Sequence, residues 1–278
     1  MKFKTLENTS VSEILEAFNL AFSDYVTPLQ LTLQQLQNKI IAEDINLHWS
    51  VGAFKNNKLV GYILHGLRDN TLYNGGTGVV PEFRGKQITK KLYAFIFEKI
   101  KNSDISSIQL EVITENKKAI NIYEQVGFEK VRTLNCYKGV LNFESFISSK
   151  DDLEFVETDL KSIDSTLDYN ASWQNNNSSL YNLSKLEDIK CFHLLHEKKN
   201  IGFVIYNNTS RKIHQIKICQ NDFDREIISK ELFHFLSKKY SNSFVATNID
   251  NSSRITNEIF ESVKLECFLQ QYEMIMKL

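Results

Sequence analysis

Glycine and proline are scarce in this chain, and nearly all of them lie in one half. Nine of the ten glycines and both prolines fall within residues 1–139, leaving only Gly202 beyond. Glycine lets backbone approach a ligand closely and adopt positive φ. Main chain that could wrap a ligand is therefore concentrated in the first half. Cysteine is also sparse: Cys136, Cys191, Cys219 and Cys267 form no CxxC pair. That excludes a zinc ribbon and a disulfide framework and fits reduced packing cysteines. His193 and His196, the closest histidine pair, sit three apart on an expected strand and so on opposite faces; no metal site is expected. No sign of charge dominates. Lys plus Arg number 33 against 34 Asp plus Glu, so nothing points to nucleic acid or an anionic membrane as partner. No apolar run approaches the ~20 residues of a spanning helix. The polar start, Met1 to Ser10, has no apolar core of a secretory signal. The expected location is the cytoplasm.

What is present suits one large or two small globular domains: 278 residues, 42% hydrophobic and 24% charged. Hydrophobic period and turn residues predict elements along the first half. A short strand covers Phe3 to Leu6, and helices cover Ser12 to Phe22 and Thr32 to Ala42. Strands follow at Trp49 to Phe54, Leu59 to Leu67 and Thr71 to Val80, joined by Lys55-Asn56-Asn57-Lys58 and Asp69-Asn70. A long helix from Ile88 to Lys101 leads to a strand from Ser107 to Thr114. A helix from Lys117 to Gln125 ends at Gly127, and strand follows from Phe128 to Gly139. This is an α/β arrangement, a mixed sheet with hairpin and crossover connections.

The second half repeats that order. Strand at Leu153 to Glu157 is followed by two expected helices, then strands at Cys191 to His196, Ile201 to Tyr206 and Ile213 to Cys219. A helix spans Asp224 to Tyr240, a strand Phe244 to Ile249, a helix Arg254 to Val263 and a strand Cys267 to Leu278. Phe83, Ile88, Lys91, Leu92 and Tyr93 overlie Phe223, Ile228, Glu231, Leu232 and Phe233 at a constant offset. A repeat this long means two domains of one fold, not a solenoid. The expected domains are 1–141 and 153–278, joined by a polar, Ser-containing linker.

Between the third strand of the first half and its long helix runs Val79-Val80-Pro81-Glu82-Phe83-Arg84-Gly85-Lys86-Gln87-Ile88-Thr89. The first N–H groups of a helix lack intrahelical partners and coincide with the positive end of its dipole. Gly85 lets an anion come close, and Arg84, Lys86, Lys90 and Lys91 add charge. On these residues alone the loop is either a diphosphate site or a turn with a solvated face.

The stretch resembles the coenzyme A pyrophosphate motif of the GNAT N-acyltransferases: a strand ending Val-x-Pro, then R/Q-x-x-G-x-G/A and a helix. Arg84 matches its first position. Gln87 and Thr89 stand where the family usually has Gly and Gly or Ala, so Gln87 has to adopt a conformation that glycine normally supplies. A second stretch, Leu110-Glu111-Val112, Asn116, Ala119, Ile122-Tyr123 and Gly127-Phe128, resembles the other GNAT signature with its spacing unbroken. The resemblance implies acetyl-CoA as acyl donor, with no metal. It implies Gly78, Val79, Arg84, Gly85, Lys86, Gln87, Ile88 and Thr89 along the cofactor, with Asn116 on the pantetheine arm or a water. Tyr123 is implied to sit near the sulfur.

Acyl transfer to an amine needs a base for the ammonium, donors for the oxyanion and an acid for the thiolate. By resemblance Tyr123 is the acid; the other reading is a ring that only packs. A backbone N–H near Val79, where the fourth strand of the family splays from the fifth, is the implied oxyanion donor. Glu111, an acidic residue on an apolar strand, is the candidate base. It lies 12 residues before Tyr123, a spacing that resembles a Glu-to-Tyr pair of ribosomal-protein acetyltransferases. Its other reading is a strand residue simply paired or solvated. Asp24 and Tyr25, between the first two helices, are candidates for binding a cationic amine, or solvated loop residues.

The second half lacks this machinery. Asp224 replaces Arg84, Arg225 replaces Gly85 and Asn221 replaces Pro81, while Phe260 replaces Tyr123 and Lys264 replaces Gly127. Two functions follow as expectations. One is N-acetyl transfer to a primary amine of a small molecule or peptide. The other is a non-catalytic acyl-CoA-binding or regulatory module on the same fold.

Overall fold

The computed structural model describes residues 1–24, 30–143, 153–164, 166–219 and 224–278. The chain folds as two compact units. The first comprises Met1–Val131 and Glu273–Leu278, the second Arg132–Tyr272. The expected linker falls mostly outside the described residues. No helix among the described residues is long and apolar enough to cross a membrane.

In the first unit β1 (Lys2–Thr5) leads to α1 (Val11–Ala21) and α2 (Leu33–Ala42), then β2 (Val51–Lys55), β3 (Lys58–Arg68) and β4 (Thr71–Val79). After α3 (Ile88–Ile100) come β5 (Ser107–Ile113) and α4 (Lys117–Gln125), and β6 (Glu129–Val140) carries the chain into the second unit. The sequence makes these helices locally. Ser10 accepts from Glu13 N at 3.2 Å, and Thr32 forms a capping box with Gln35. Ile14, Ala17, Phe18 and Ala21 then present one buried face of α1. Gly127 (φ +107°) closes α4: Phe128 N bonds Tyr123 O at 3.0 Å and Gly127 N bonds Glu124 O at 3.1 Å.

β1 to β4 pair antiparallel, and β4 runs parallel to β5. Beyond β5 the sheet of the first unit continues into the last residues of β12 (Glu266–Lys277). Leu278 N bonds Ser106 O at 2.9 Å there. Two irregularities shape this sheet. Leu64 pairs with Gly76 and His65 with Asn74, so Gly75 is an extra residue on β4, a β-bulge. β4 follows β5 only from Thr71 to Asn74, opposite Ser107 to Leu110, and then diverges.

The second unit repeats the plan with β7 (Leu153–Thr158), α5 (Asn177–Leu183), β8 (Ile189–His196), β9 (Lys199–Asn207), β10 (Lys212–Ile218), α6 (Arg225–Lys239), β11 (Ser243–Asp250) and α7 (Arg254–Ser262). Before β8 the sequence predicts two helices. Among the described residues there is one α-helix there, α5, with 3-10 turns at Leu160–Ser162 and Trp173–Asn175. The bulges repeat too. Val60 is the extra residue of β3 against β2, and Ile201 that of β9 against β8. His214 is the extra residue of β10, as Gly75 is of β4. β10 likewise follows β11 only at Lys212–Ile213.

Candidate active site

The divergence of β4 from β5 opens a gap with two distinct sides. Asn74 donates to the Tyr93 hydroxyl of α3 at 2.7 Å, so its side chain lies on the α3 face. Tyr73, next along, points to the face covered by α1 and α2. On β5 the alternate residues Ile108, Leu110 and Val112 are buried, while Glu111 joins Tyr73 on the other face.

On the α3 face, the loop after Val79 makes a 3-10 turn at Pro81–Phe83. Gly85 follows at φ +75° and Gln87 at φ +57°. Gln87 therefore does adopt a left-handed backbone that favours glycine. It caps α3 without a side-chain hydrogen bond, and the first ladder bond is Lys91 N to Gln87 O at 3.1 Å. Every other α-helix among the described residues has a side-chain N-cap: Ser10, Thr32, Asn116, Asn176, Asp224 and Ser253. α3 thus starts with N–H groups aimed outward at the positive end of its dipole, beside an open Gly85. Thr89 is half-buried in that first turn, and Ile88 is buried. Ile88 Cγ2 lies 2.8 Å from where a Cβ would stand on Gly61, so its side chain seats the helix on the sheet. Lys86 Nζ donates to Glu82 O at 3.0 Å and lies over the Phe83 ring.

Arg84 is placed differently from the expectation of a residue turned to the diphosphate. Its Nη1 and Nη2 donate to the two carboxylate oxygens of Asp24 at 2.7 and 2.8 Å. Nη2 also donates to Ala21 O at 2.9 Å and Nε to Val79 O at 3.1 Å. The hydrogen bond from Arg84 holds the Asp24 carboxyl below its usual range. Sequence reasoning assigned these two residues to opposite ligands; the structure joins them. Tyr25 lies outside the described residues.

Tyr123 is buried on the α3 face, its ring edge-on to Tyr93 at 6.1 Å and to Phe128 at 5.8 Å. Asn116 accepts from Ala119 N at 3.1 Å and so caps α4. Val79 ends β4, and Gly78 lies against Tyr62, which leaves no room for a Cβ.

On the α1/α2 face the Tyr73 hydroxyl donates to Glu111 Oε2 at 2.5 Å. Glu111 Oε1 is buried without a hydrogen-bond partner among the described residues. Burial pushes the Glu111 carboxyl up to about 8; the Tyr73 bond opposes the rise, and the charges of Glu273 and Glu43 add to it. Glu273 accepts from Gln109 at 2.5 Å. Glu43, at the end of α2, pairs with Lys39 at 2.7 Å. Its Oε2 lies 2.7 Å, and Tyr73 Cε1 3.4 Å, from where a Cβ would stand on Gly75. Gly75, Gly76 and Gly78 leave the backbone of β4 bare here. Sequence reasoning missed Tyr73, Glu43 and Glu273. The Gly75-Gly76 pair inside a strand was the available signal, since strand glycines mark bulges and close approach.

The second unit keeps the gap and fills it. Asn175 Nδ2 donates to Thr247 O of β11 at 2.6 Å, and its Oδ1 meets His214 Nδ1 of β10 at 3.0 Å. Gln215 donates to Asn175 O at 2.7 Å. One residue therefore bridges the two diverging strands. The start of α6 is occupied as well, because Asp224 accepts from Glu226 N at 2.8 Å. A carboxylate of the chain sits where a helix N-terminus would receive an anion. Phe260 is fully buried and stacked on Tyr137, and Lys264 stands at φ +63° where Gly127 closes α4. Asn221 and Phe223 lie outside the described residues.

Comparison with known proteins gives this arrangement its class. Residues 11–128 match the model of the acetyltransferase (GNAT) family. That stretch belongs to the acetyltransferase (GNAT) family, an acyltransferase class. The whole chain has the fold of tandem GNAT proteins. It superposes on a tandem GNAT protein from the clavulanic acid biosynthesis pathway with a TM-score of 0.69 at 11% identity, covering 99% of this chain and 98% of that one. A GCN5-related N-acetyltransferase from Sphaerobacter thermophilus gives 0.68 at 11% identity, covering 99% and 95%. A GNAT-family acetyltransferase from Colwellia psychrerythraea gives 0.57 at 14%, covering 100% of both chains. No curated protein matches the sequence.

Proposed function

We propose that the first unit transfers an acetyl group from acetyl-CoA to a primary amine of a small molecule or peptide. The observation that carries this reading is the gap between β4 and β5. An uncapped helix N-terminus lies on one side of it and the raised-pKa carboxyl of Glu111 on the other. The donor diphosphate would rest on the N–H groups of the α3 start, with Gly85, Lys86, Gln87 and Thr89 around it. The thioester would reach the gap beside Gly78 and Val79, with Asn116 near its pantetheine arm.

Chemistry then follows from position. Glu111, in its ionised form, accepts a proton from the acceptor ammonium, directly or through water. The freed amine attacks the thioester carbonyl, and a backbone N–H near Val79 stabilises the oxyanion. As the C–S bond breaks, Tyr123 gives its proton to the departing thiolate, and solvent restores it. Glu43 and Glu273 beside Glu111 favour a positively charged acceptor. The free thiols of all four cysteines support a cytoplasmic location.

The alternative is a non-catalytic acyl-CoA-binding or regulatory module, favoured by Gln87 and Thr89 standing where the family usually has glycine and glycine or alanine. Incubation with acetyl-CoA and a panel of amines, read by thiol release, separates the two. Amine-dependent release supports transfer. Saturable CoA binding with no release from any amine supports the module.

A further inference from the structure

The two faces of the gap are served by different parts of the chain. The α3 face carries the loop that would hold the donor. The opposite face carries Glu111 and is covered by α1, whose Phe18 lies 3.9 Å from the Cβ position of Gly76. One side chain joins these parts. Arg84 leaves the donor-side loop, passes the last carbonyl of β4 at Val79, and reaches Ala21 and Asp24 at the end of α1.

We propose that Arg84 is a positioning residue: it fastens the donor-side loop to the C-terminal end of α1, and it does not hold the donor diphosphate. Four of its N–H groups are committed, two of them in a fork against the Asp24 carboxylate. This bidentate geometry is the strong form of an Arg–carboxylate pair. The cation also sits at the end of α1, where the carbonyls of a helix end lack partners and the dipole favours positive charge. Turning toward a phosphate would surrender all of these bonds at once. The α3 N–H groups, Lys90 and Lys91 remain for the diphosphate, and Lys86, which gives one bond to Glu82 O, has two further donors. Arg84 therefore fixes α1 over the bare backbone of β4, and so shapes the acceptor side from the donor side.

The expected effect on acceptor use rests on the transferase reading; the effects on CoA binding and on α1 do not. The test uses the full chain, with CoA titrated by calorimetry and hydrogen exchange followed across Val11–Phe22. Arg84→Gln and Asp24→Ala should each leave CoA affinity within about threefold, the scale of a screened surface charge. Each should speed exchange in the last turn of α1 to a similar extent. The reversed pair, Arg84→Asp with Asp24→Arg, should restore part of the protection there, because it rebuilds the carboxylate pair but not the bonds to Ala21 O and Val79 O. If acetyl transfer to spermidine, used as a probe amine, is measurable, both single variants should raise its KM more than they lower kcat. Arg84→Gln weakening CoA by about tenfold or more, the scale of lost charge-assisted bonds, would overturn the proposal. So would tighter CoA binding by Asp24→Ala, or exchange in α1 that none of the variants alters.

Discussion

Glu111 and Tyr123 occupy opposite faces of the gap, and each role has its own pH and kinetic trace. With the Glu111 carboxyl at about 8, kcat/KM should rise as pH passes through that value, because only the ionised form accepts a proton. Glu111→Gln should flatten the profile and lower the rate by ~10²–10⁴-fold; a profile unchanged in the Gln variant would remove Glu111 as base. The same shift has a consequence for stability. The folded value lies above the ordinary carboxyl value of 4.5, so between them the folded chain binds more protons than the unfolded one. Stability then falls as pH rises from 4.5 to about 8, and is level on either side. Denaturant melts across that window should show the slope in the parent and its loss in Glu111→Gln. Tyr123→Phe keeps the ring packed against Tyr93 and Phe128 and removes only the hydroxyl. It should lower kcat by ~10²–10⁴-fold while CoA affinity stays within a few-fold, as single-turnover kinetics and calorimetry would show. At this scale the sequence was a partial guide. Resemblance to the family signature singled out Tyr123, and an acid on an apolar strand singled out Glu111, but the partner of Glu111, Tyr73, is on another strand, and pairing between strands is a tertiary fact. Arg84 and Asp24 were each visible as charged residues near a site; that they satisfy one another depends on how α1 lies across the end of β4.

Helix ends distinguish the two units at the level of elements. α3 begins on a left-handed glutamine without a side-chain cap, while α6 begins on Asp224, which caps it. A non-glycine residue in the left-handed region costs roughly 1–2 kcal/mol, and glycine returns ~0.5–1 kcal/mol of that through its freer unfolded chain. Gln87→Gly should therefore stabilise the protein by up to about 1 kcal/mol, and Gly85→Ala, the reverse kind of exchange, should destabilise it by up to about 1 kcal/mol. Paired urea melts check both, and a Gln87→Gly variant less stable than the parent would show that the glutamine side chain holds the loop. Most element boundaries were legible, because apolar period and turn residues are local. α4 runs from Lys117 to Gln125 as read, and Asn56 and Asn57 adopt the positive φ that their turn requires. The segment before β8 was not: its short runs carry no sustained period, and one of the two expected helices is replaced by 3-10 turns. Bulges were invisible apart from the glycine pair at Gly75, since an extra residue shows only against its partner strand.

The whole molecule carries one gap beside an uncapped helix start and one gap bridged by Asn175. Calorimetry should return one CoA per chain, and CoA should raise the melting temperature with dose; two equivalent sites would contradict the reading of Asn175 and Asp224 as occupants of the second. The duplicated element order was legible in the sequence, but the strand that completes the first unit was not. A fragment ending at Leu141 would lack Glu273–Leu278, and with them the Gln109–Glu273 bond, the Leu278–Ser106 bond and the Met276 contact at Gly127. Its melting temperature should lie below that of the intact chain, and a peptide spanning residues 266–278 should raise it. A ribosome faces the same gap in time. At ~5–20 residues per second, Arg132–Tyr272 takes on the order of ten seconds to emerge, and until then the candidate catalytic half waits with an open strand edge for its final piece. Translation thus withholds the complete first unit until the entire second unit has been made.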